Sequence, residues 1–287
     1  MGYILNTTDD YHARALTTLG WELTVVNALY PENSPCRSAL QHNASFGAQL
    51  FRFLEEKIPF PHLKTVLEVG GGLGYLMKDF LTLAPYLRAT MLDISPFLLQ
   101  KQKDALAGLP VHFLEMDFLK TALSGLRTFD LAILNENLGD FPTLVAKNDH
   151  PPQDDPKTIH WLNRMVEFKN KYALSFAADE SINIGAMEVV ERLCEAGIPY
   201  IYLSEHSCEA SRNDPSYPHL NFTAPGMPER IVLHGHSEFT IKFSRLQTIA
   251  HAFGYRMFRG RYIDILPVDL NTKVQAALRS ATPLSDT

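Results

Sequence analysis

Only three cysteines, Cys36, Cys194 and Cys208, stand among the 287 residues, and no two are spaced as metal ligands usually are. An odd, scattered set of this kind points to a reduced, cytosolic protein and excludes a disulfide scaffold. Cys194 lies in an amphipathic stretch and reads as a small core residue, not a nucleophile. Positive charge is also short, with 26 Lys plus Arg against 32 Asp plus Glu and a net charge of −6. Such a chain lacks the electrostatic footprint that holds a phosphate backbone, which counts against nucleic acid as a partner. Long apolar runs are missing, for no stretch approaches the roughly 20 residues needed to cross a bilayer, and no membrane partner is expected. Asp9, Asp10, His12 and Arg14 interrupt the first residues, so no apolar run resembles a signal peptide. Internal repeats and low-complexity tracts are likewise absent from the sequence.

What is present is an ordinary globular composition, 46% hydrophobic and 20% charged, of a length that suits one large domain with a smaller appendage. The first sixty residues read as helical: residues 11–30 end at Pro31-Glu32-Asn33-Ser34-Pro35, and residues 45–56 place Phe46, Leu50, Phe53 and Leu54 on one side before Pro59 and Pro61. From Thr65 strands alternate with helices. Strands are expected at 65–69, 87–92, 111–116, 129–134 and 198–203, and helices at 73–83, from Ser95-Pro96 to about Ala107, at 161–172 and at 184–196 before Gly197. That alternation implies parallel βαβ units in a doubly wound sheet. Residues 148–156 read as a surface loop, and 208–230, rich in Ser, Asn, Asp and Pro, as an insertion near the active face. A strand at 239–243, a helix capped by Ser244 and a hairpin of 255–258 with 262–266 around Arg259-Gly260-Arg261 close the pattern, before a short helix and a frayed tail.

The strongest chemical signal is Val66-Leu67-Glu68-Val69-Gly70-Gly71-Gly72-Leu73-Gly74. Glycines let the backbone turn sharply out of a strand and let a ligand approach the main chain, and the following helix offers its N-terminal amides. Dinucleotide enzymes share a glycine turn, but here the spacing is G-x-G-x-G, and Glu68 adds a carboxylate at the strand end that suits a cationic ligand. Asp93 ends the second strand, where an acidic side chain can accept both ribose hydroxyls. Asp117-Phe118 follows the third strand, offering an acceptor for an adenine amino group and a ring to pack on its face; a plain turn residue or cap is the competing account of Asp117. Three carboxylates at three successive strand ends favour a nucleoside ligand, because ligands bind at the carboxyl ends of parallel strands. The fourth strand leads into Asn135-Glu136-Asn137-Leu138-Gly139-Asp140-Phe141-Pro142.

Glu68-Val-Gly-Gly-Gly-Leu-Gly74 resembles the first motif of class I S-adenosylmethionine-dependent methyltransferases. Asn135-Glu136 with Pro142 resembles the N-E-x-x-D-A-x-P motif of the MidA-like group, and Ser45-Phe46-Gly47 and Gly235-His236-Ser237-Glu238-Phe239-Thr240 look like two further segments of it. The resemblance runs over roughly residues 40 to 260. It implies a Rossmann-like fold with a mostly parallel seven-stranded sheet flanked by helices, an N-terminal helical cap over 1–60, and a methyltransferase domain over 61–287 with an insertion about 206–238. It implies S-adenosylmethionine as cofactor and S-adenosylhomocysteine as product, surrounded by Glu68, Gly70, Gly72, Gly74, Asp93, Asp117, Phe118 and Asn135. Asn135, Glu136 and Asp140 would line the methyl-transfer face. The group is associated with methylation of an arginine on a partner protein during assembly of mitochondrial respiratory complex I, and a carboxylate such as Glu136 could orient a guanidinium.

Two departures bear on the acceptor. The motif places Asp where this chain has Gly139, with Asp140 one residue later, and Asp-Tyr-Gly where it has Ser204-Glu205-His206. The acceptor is therefore open between a protein side chain and a small molecule, and a non-catalytic assembly protein on the same fold is the alternative; a nicotinamide oxidoreductase ranks last. His206, His219, His234 and His236 gather late in the chain, with His234 and His236 expected on one strand face. They read as surface histidines and no metal site is expected, although one of them, or Glu205, could serve as a general base. Trp21 and Tyr30 fit either a lid or a homodimer interface.

Overall fold

The computed structural model describes residues 2–16, 24–147, 155–209 and 225–269. Trp21, residues 148–154 of the loop expected at 148–156, His219 with residues 210–224 of the expected insertion, and residues 270–287 lie outside the described residues. Nine strands are described: β1 (Gly2–Asn6), β2 (Thr65–Val69), β3 (Arg88–Asp93), β4 (Val111–Glu115), β5 (Leu131–Asn135), β6 (Thr143–Lys147), β7 (Tyr200–Ser204), β8 (Arg230–Val232) and β9 (Ser237–Phe239). The helices are α1 (Val25–Leu29), α2 (Phe46–Glu55), α3 (Tyr75–Leu83), α4 (Pro96–Ala105), α5 (Leu123–Leu126), α6 (Pro156–Lys171), α7 (Ile184–Glu195), α8 (Phe243–Ala252) and α9 (Tyr262–Ile265).

The main sheet has the order β4-β3-β2-β5-β7, and every neighbouring pair in it is parallel. β2 and β5 carry apolar side chains to both faces, as strands covered on two sides must. Val66, Leu131 and Ile133 join a core with Phe46, Phe51, Phe60 and Phe80 from the side of α2 and α3, while Leu67, Val69, Ala132 and Leu134 join a core with Met187, Val190 and Leu246 from α7 and α8. The period of two along each strand sorts the two sets. Ser45 caps α2 by accepting from the Ala48 amide, and Ser95 caps α4 by accepting from Leu98 with Pro96 at the first helical position. Gly47 lets α2 approach α3, since a Cβ there would stand 2.6 Å from Asp79 Oδ2 and 3.0 Å from the Leu76 carbonyl.

The doubly wound expectation therefore holds, with corrections. The main sheet has five strands among the described residues, not seven. β6 leaves it and pairs antiparallel with β1, so the chain opens in a strand where a helix was expected. The apolar run Tyr3-Ile4-Leu5 is too short to bury a helical face but long enough to pair with an edge. β9 ends at Phe239 and pairs with β8, which displaces the strand expected at 239–243. The expected hairpin of 255–258 with 262–266 is not formed: the Arg261 amide donates to Asp264 Oδ2 at 2.8 Å, and this local cap turns Tyr262–Ile265 into a helix.

Glu180 ties two helices together. It is almost fully buried and accepts from Arg245 Nη2 at 2.6 Å and Lys242 Nζ at 2.9 Å, tying the approach to α7 to the start of α8. Burial pushes its carboxyl up, but Arg245 and Lys242 outweigh burial and hold it below the usual range. Glu180→Ala leaves the buried Arg245 without its carboxylate, keeping the Ser175 carbonyl at 2.9 Å, and should cost about 3–5 kcal/mol in urea unfolding. Because the folded pKa is depressed, this stability is present at neutral pH and is lost as pH falls through the carboxylate range. A loss under about 1 kcal/mol would show that Arg245 finds water or another partner.

Candidate functional site

The chain moves outward from β2 to β3 and β4, then returns to place β5 and β7 on the other side. β2 and β5 thus leave the sheet in opposite directions, and a crevice opens between their carboxyl ends. A cavity of about 950 Å³ occupies it, lined among others by Glu68, Gly70, Gly72, Asp93, Asp117, Phe118, Asn135, Glu136 and Asp140. Nine of the ten residues singled out in the sequence meet on one surface.

The tenth, Gly74, is set back from the cavity. It caps α3 at φ +80°, and a Cβ there would meet the Gln102 Cα in α4 at 3.3 Å, so its part is to let two helices close. Gly70 turns at φ +62°, and a Cβ would lie 2.5 Å from Asn137 Nδ2. Gly72 at φ +53° would carry a Cβ into open space, which leaves the backbone bare toward the cavity.

Glu68 is 2% exposed, and its Oε2 has no hydrogen-bond partner. Burial first, then the Asp93 charge, pushes its carboxyl up to about 8. Asp93 Oδ1 accepts from the Ser95 amide at 2.9 Å and Oδ2 from Gln102 Nε2 at 2.7 Å. Burial still raises it to about 6 against those two bonds. Two partly neutralised carboxyls in one pocket suit a ligand that brings positive charge and hydroxyl donors. Gln102 also donates to the Gly72 carbonyl at 3.1 Å, joining the glycine turn to Asp93. Sequence reasoning missed it; the available signal was a polar residue one helical turn after Leu98 on the buried side of α4.

Asp117 fulfils the plainer account, capping the turn after β4 by accepting from Leu119 and pairing with Lys120 at 3.1 Å, while still lining the cavity. Phe118 is buried in the core and meets Phe141 edge to face at 6.4 Å. Beside it Met116, 41% exposed, also lines the cavity and was missed.

At the end of β5, Asn135 Oδ1 accepts from Ser204 Oγ at 2.7 Å and from Tyr262 Oη at 3.3 Å. Ser204, one of the departures, therefore orients Asn135. Glu136 follows at φ +53°, a left-handed conformation in a non-glycine residue, and its Oε2 is buried without a partner. Burial and then Glu205 raise its carboxyl. Glu205 is buried and accepts from the Gly139 amide at 3.2 Å and from His206 Nδ1 at 3.0 Å, while His206 is exposed. Gly139 has no room for a side chain, since a Cβ would stand 2.9 Å from the Phe239 carbonyl. Asp140 accepts from His12 Nε2 at 2.9 Å. Asn137, also missed, donates to the Val69 carbonyl at 2.5 Å. His234 and His236 do not share a strand face: they sit in the turn between β8 and β9, with His234 exposed and His236 turned toward Asp140.

No family model and no curated protein matches the sequence. Solved structures do. A protein from Burkholderia thailandensis bound to S-adenosyl-homocysteine is similar at 16% identity with a TM-score of 0.45, over 88% of this chain and 73% of that one. The N-terminal domain of EvdMO1 with SAH bound is similar at 13% identity with a TM-score of 0.43, over 72% and 70%. The mitomycin 7-O-methyltransferase MmcR is similar at 18% identity with a TM-score of 0.36, over 60% of this chain, which spans 38% of that enzyme.

The raised carboxyls carry a pH signature. A folded pKa above the unfolded value means that the folded state holds more protons, so stability is fully present below about pH 4 and falls as pH rises toward 8. Urea midpoints of the ligand-free chain measured from pH 5 to pH 8 should decline, and Glu68→Gln should flatten the decline. An unchanged slope in Glu68→Gln would mean that Glu68 is ionised throughout.

Proposed function

We propose that the chain is an S-adenosylmethionine-dependent methyltransferase acting on a nucleophile of a protein side chain or a small molecule. The observation that carries this reading is the buried, unpartnered Oε2 of Glu68 beside the glycine turn at the sheet's switch point. Orphaned acceptors on Glu68 and Asn137, and a bare backbone at Gly72, are what a cationic nucleoside ligand would satisfy. When bound, the cofactor supplies an electrophilic methyl group on a sulfonium.

Glu68 would hold the cationic amino group of the ligand, Asp93 its ribose hydroxyls, and Asp117 with Phe118 and Met116 its base. Gln102 keeps Asp93 in place. The walls exclude water, and the aligned acceptor then reacts by in-line displacement. At the other end Glu136 has the geometry to orient a guanidinium or amine through charge-assisted hydrogen bonds. Its raised carboxyl can also take the proton that the nitrogen releases on methylation. Its strained backbone is consistent with a functional placement, since such a conformation costs about 1–3 kcal/mol and persists only where the surroundings fix it.

Two measurements test this. Binding of S-adenosylmethionine near neutral pH should release a proton as Glu68 ionises against the ligand, so that calorimetric heats differ between phosphate and Tris buffers, and Glu68→Gln should abolish the difference. Buffer-independent heats in the wild type would contradict the placement of the amino group at Glu68. With methyl-tritiated cofactor and arginine- or amine-bearing peptides and small molecules, Glu136→Gln should lower turnover by about 100-fold or more while cofactor affinity is kept. Full turnover in that variant would remove Glu136 from the chemistry.

A further inference from the structure

We propose that His12, Asp140 and His236 form a divalent-cation site that fastens the N-terminal segment and the β8–β9 hairpin to the carboxyl edge of the main sheet, beside the cavity. The three residues come from segments far apart in sequence, yet their ligand atoms all lie within 4.8 Å of one another. His12 Nε2 stands 2.9 Å and His236 Nε2 3.8 Å from the same oxygen, Asp140 Oδ1. Ligands about 2.0–2.2 Å from a tetrahedral metal stand roughly 3.3–3.6 Å apart, so the two separations to Asp140 lie on either side of the required one, and the pair of histidine nitrogens stays within 4.8 Å. Both imidazoles turn Nε2 toward Asp140 Oδ1. Glu238 Oε1 stands 3.3 Å from His236 Nε2 and steadies that ring from the other side.

The surroundings hold these groups in place. Tyr11 stacks on the His236 ring with centroids 4.2 Å apart, and the two histidine rings meet edge to face at 5.2 Å. Gly235 makes that stack possible: its φ is +87°, and a Cβ would press to 2.8 Å from the Tyr11 ring. Thr8 Oγ1 donates to the Asp140 carbonyl at 2.9 Å, and Asn6 Nδ2 to the Ser237 carbonyl at 2.8 Å, so both segments are already docked without the ion. Two imidazoles with a carboxylate favour zinc, manganese or ferrous iron over magnesium or calcium, which prefer oxygen alone. His12 and Asp140 line the cavity, so a cation here would stand at its wall.

This inference does not rest on the methyl-transfer reading, and its test uses neither cofactor nor acceptor. The full chain, stripped with a chelator, is titrated calorimetrically with zinc chloride and with manganese chloride. One equivalent of zinc should bind and raise the melting temperature. His12→Gln and His236→Gln should each weaken binding by about tenfold or more, while His234→Gln leaves it unchanged. Zinc-edge X-ray absorption on the loaded wild-type protein needs no variant and should show two imidazoles with oxygen. Absence of stoichiometric binding, equal affinity in His12→Gln and His236→Gln, or a sulfur shell in the absorption spectrum would each overturn the proposal and leave His12 and Asp140 as a hydrogen-bonded pair.

Discussion

β2 and β5 pair in parallel from Val66 to Val69, and just beyond the last pair Asn137 Nδ2 donates to the Val69 carbonyl at 2.5 Å, tying the two outgoing turns to each other. That bond needs Gly70, because any Cβ would occupy the position of the Asn137 amide. The glycine turn is therefore shaped by a side chain from another strand as well as by its own flexibility. Its depth sets where Glu68 stops and where the cavity opens. A second set of bonds, from Gln102 to Asp93 and to the Gly72 carbonyl, fixes the other rim. The cavity is framed by polar contacts that its own backbone would otherwise lack, which is how a crevice stays open in a packed sheet.

Charge divides this cavity into two ends. Around Glu68 and Asp93 the buried carboxyls are pushed toward neutrality, with donors only on Asp93. Around Glu136, Glu205, Asp140 and Glu238 four carboxylates gather with His12, His206 and His236. On the reading proposed above, the first end would take a ligand of positive charge and hydroxyls, the second a cationic acceptor at Glu136 and, at the His12 cluster, an ion. The unpartnered oxygens are those of Glu68 and Glu136, whereas Asp140 and Glu205 already accept from His12 and Gly139.

The parallel sheet was legible because its strands are short apolar runs bounded by glycine, proline and acidic residues, and its helices carry side-chain caps at Ser45 and Ser95. The glycine turn and the carboxylates at successive strand ends were legible for the same reason: the signal is local. What the sequence hid depends on distant pairing. β1 finds its partner 137 or more positions later, from Asn6 opposite Thr143 outward. His12 meets Asp140 and His236 only after folding, and Gln102 and Asn137 look like ordinary polar residues until their partners arrive. The hairpin expected near the end is not formed, because the pairing of the Arg261 amide with Asp264 closes a helical turn where the strand was expected.

The central claim is that this crevice recognises S-adenosylmethionine through the carboxylate ends of its strands. Calorimetric titration of the purified chain with S-adenosylmethionine, S-adenosylhomocysteine and NAD, repeated on Asp93→Ala, tests it most directly. The account predicts micromolar binding of the first two, little of NAD, and loss of binding in Asp93→Ala with the fold retained. A folded protein that binds neither sulfur ligand, or that prefers NAD, would contradict it.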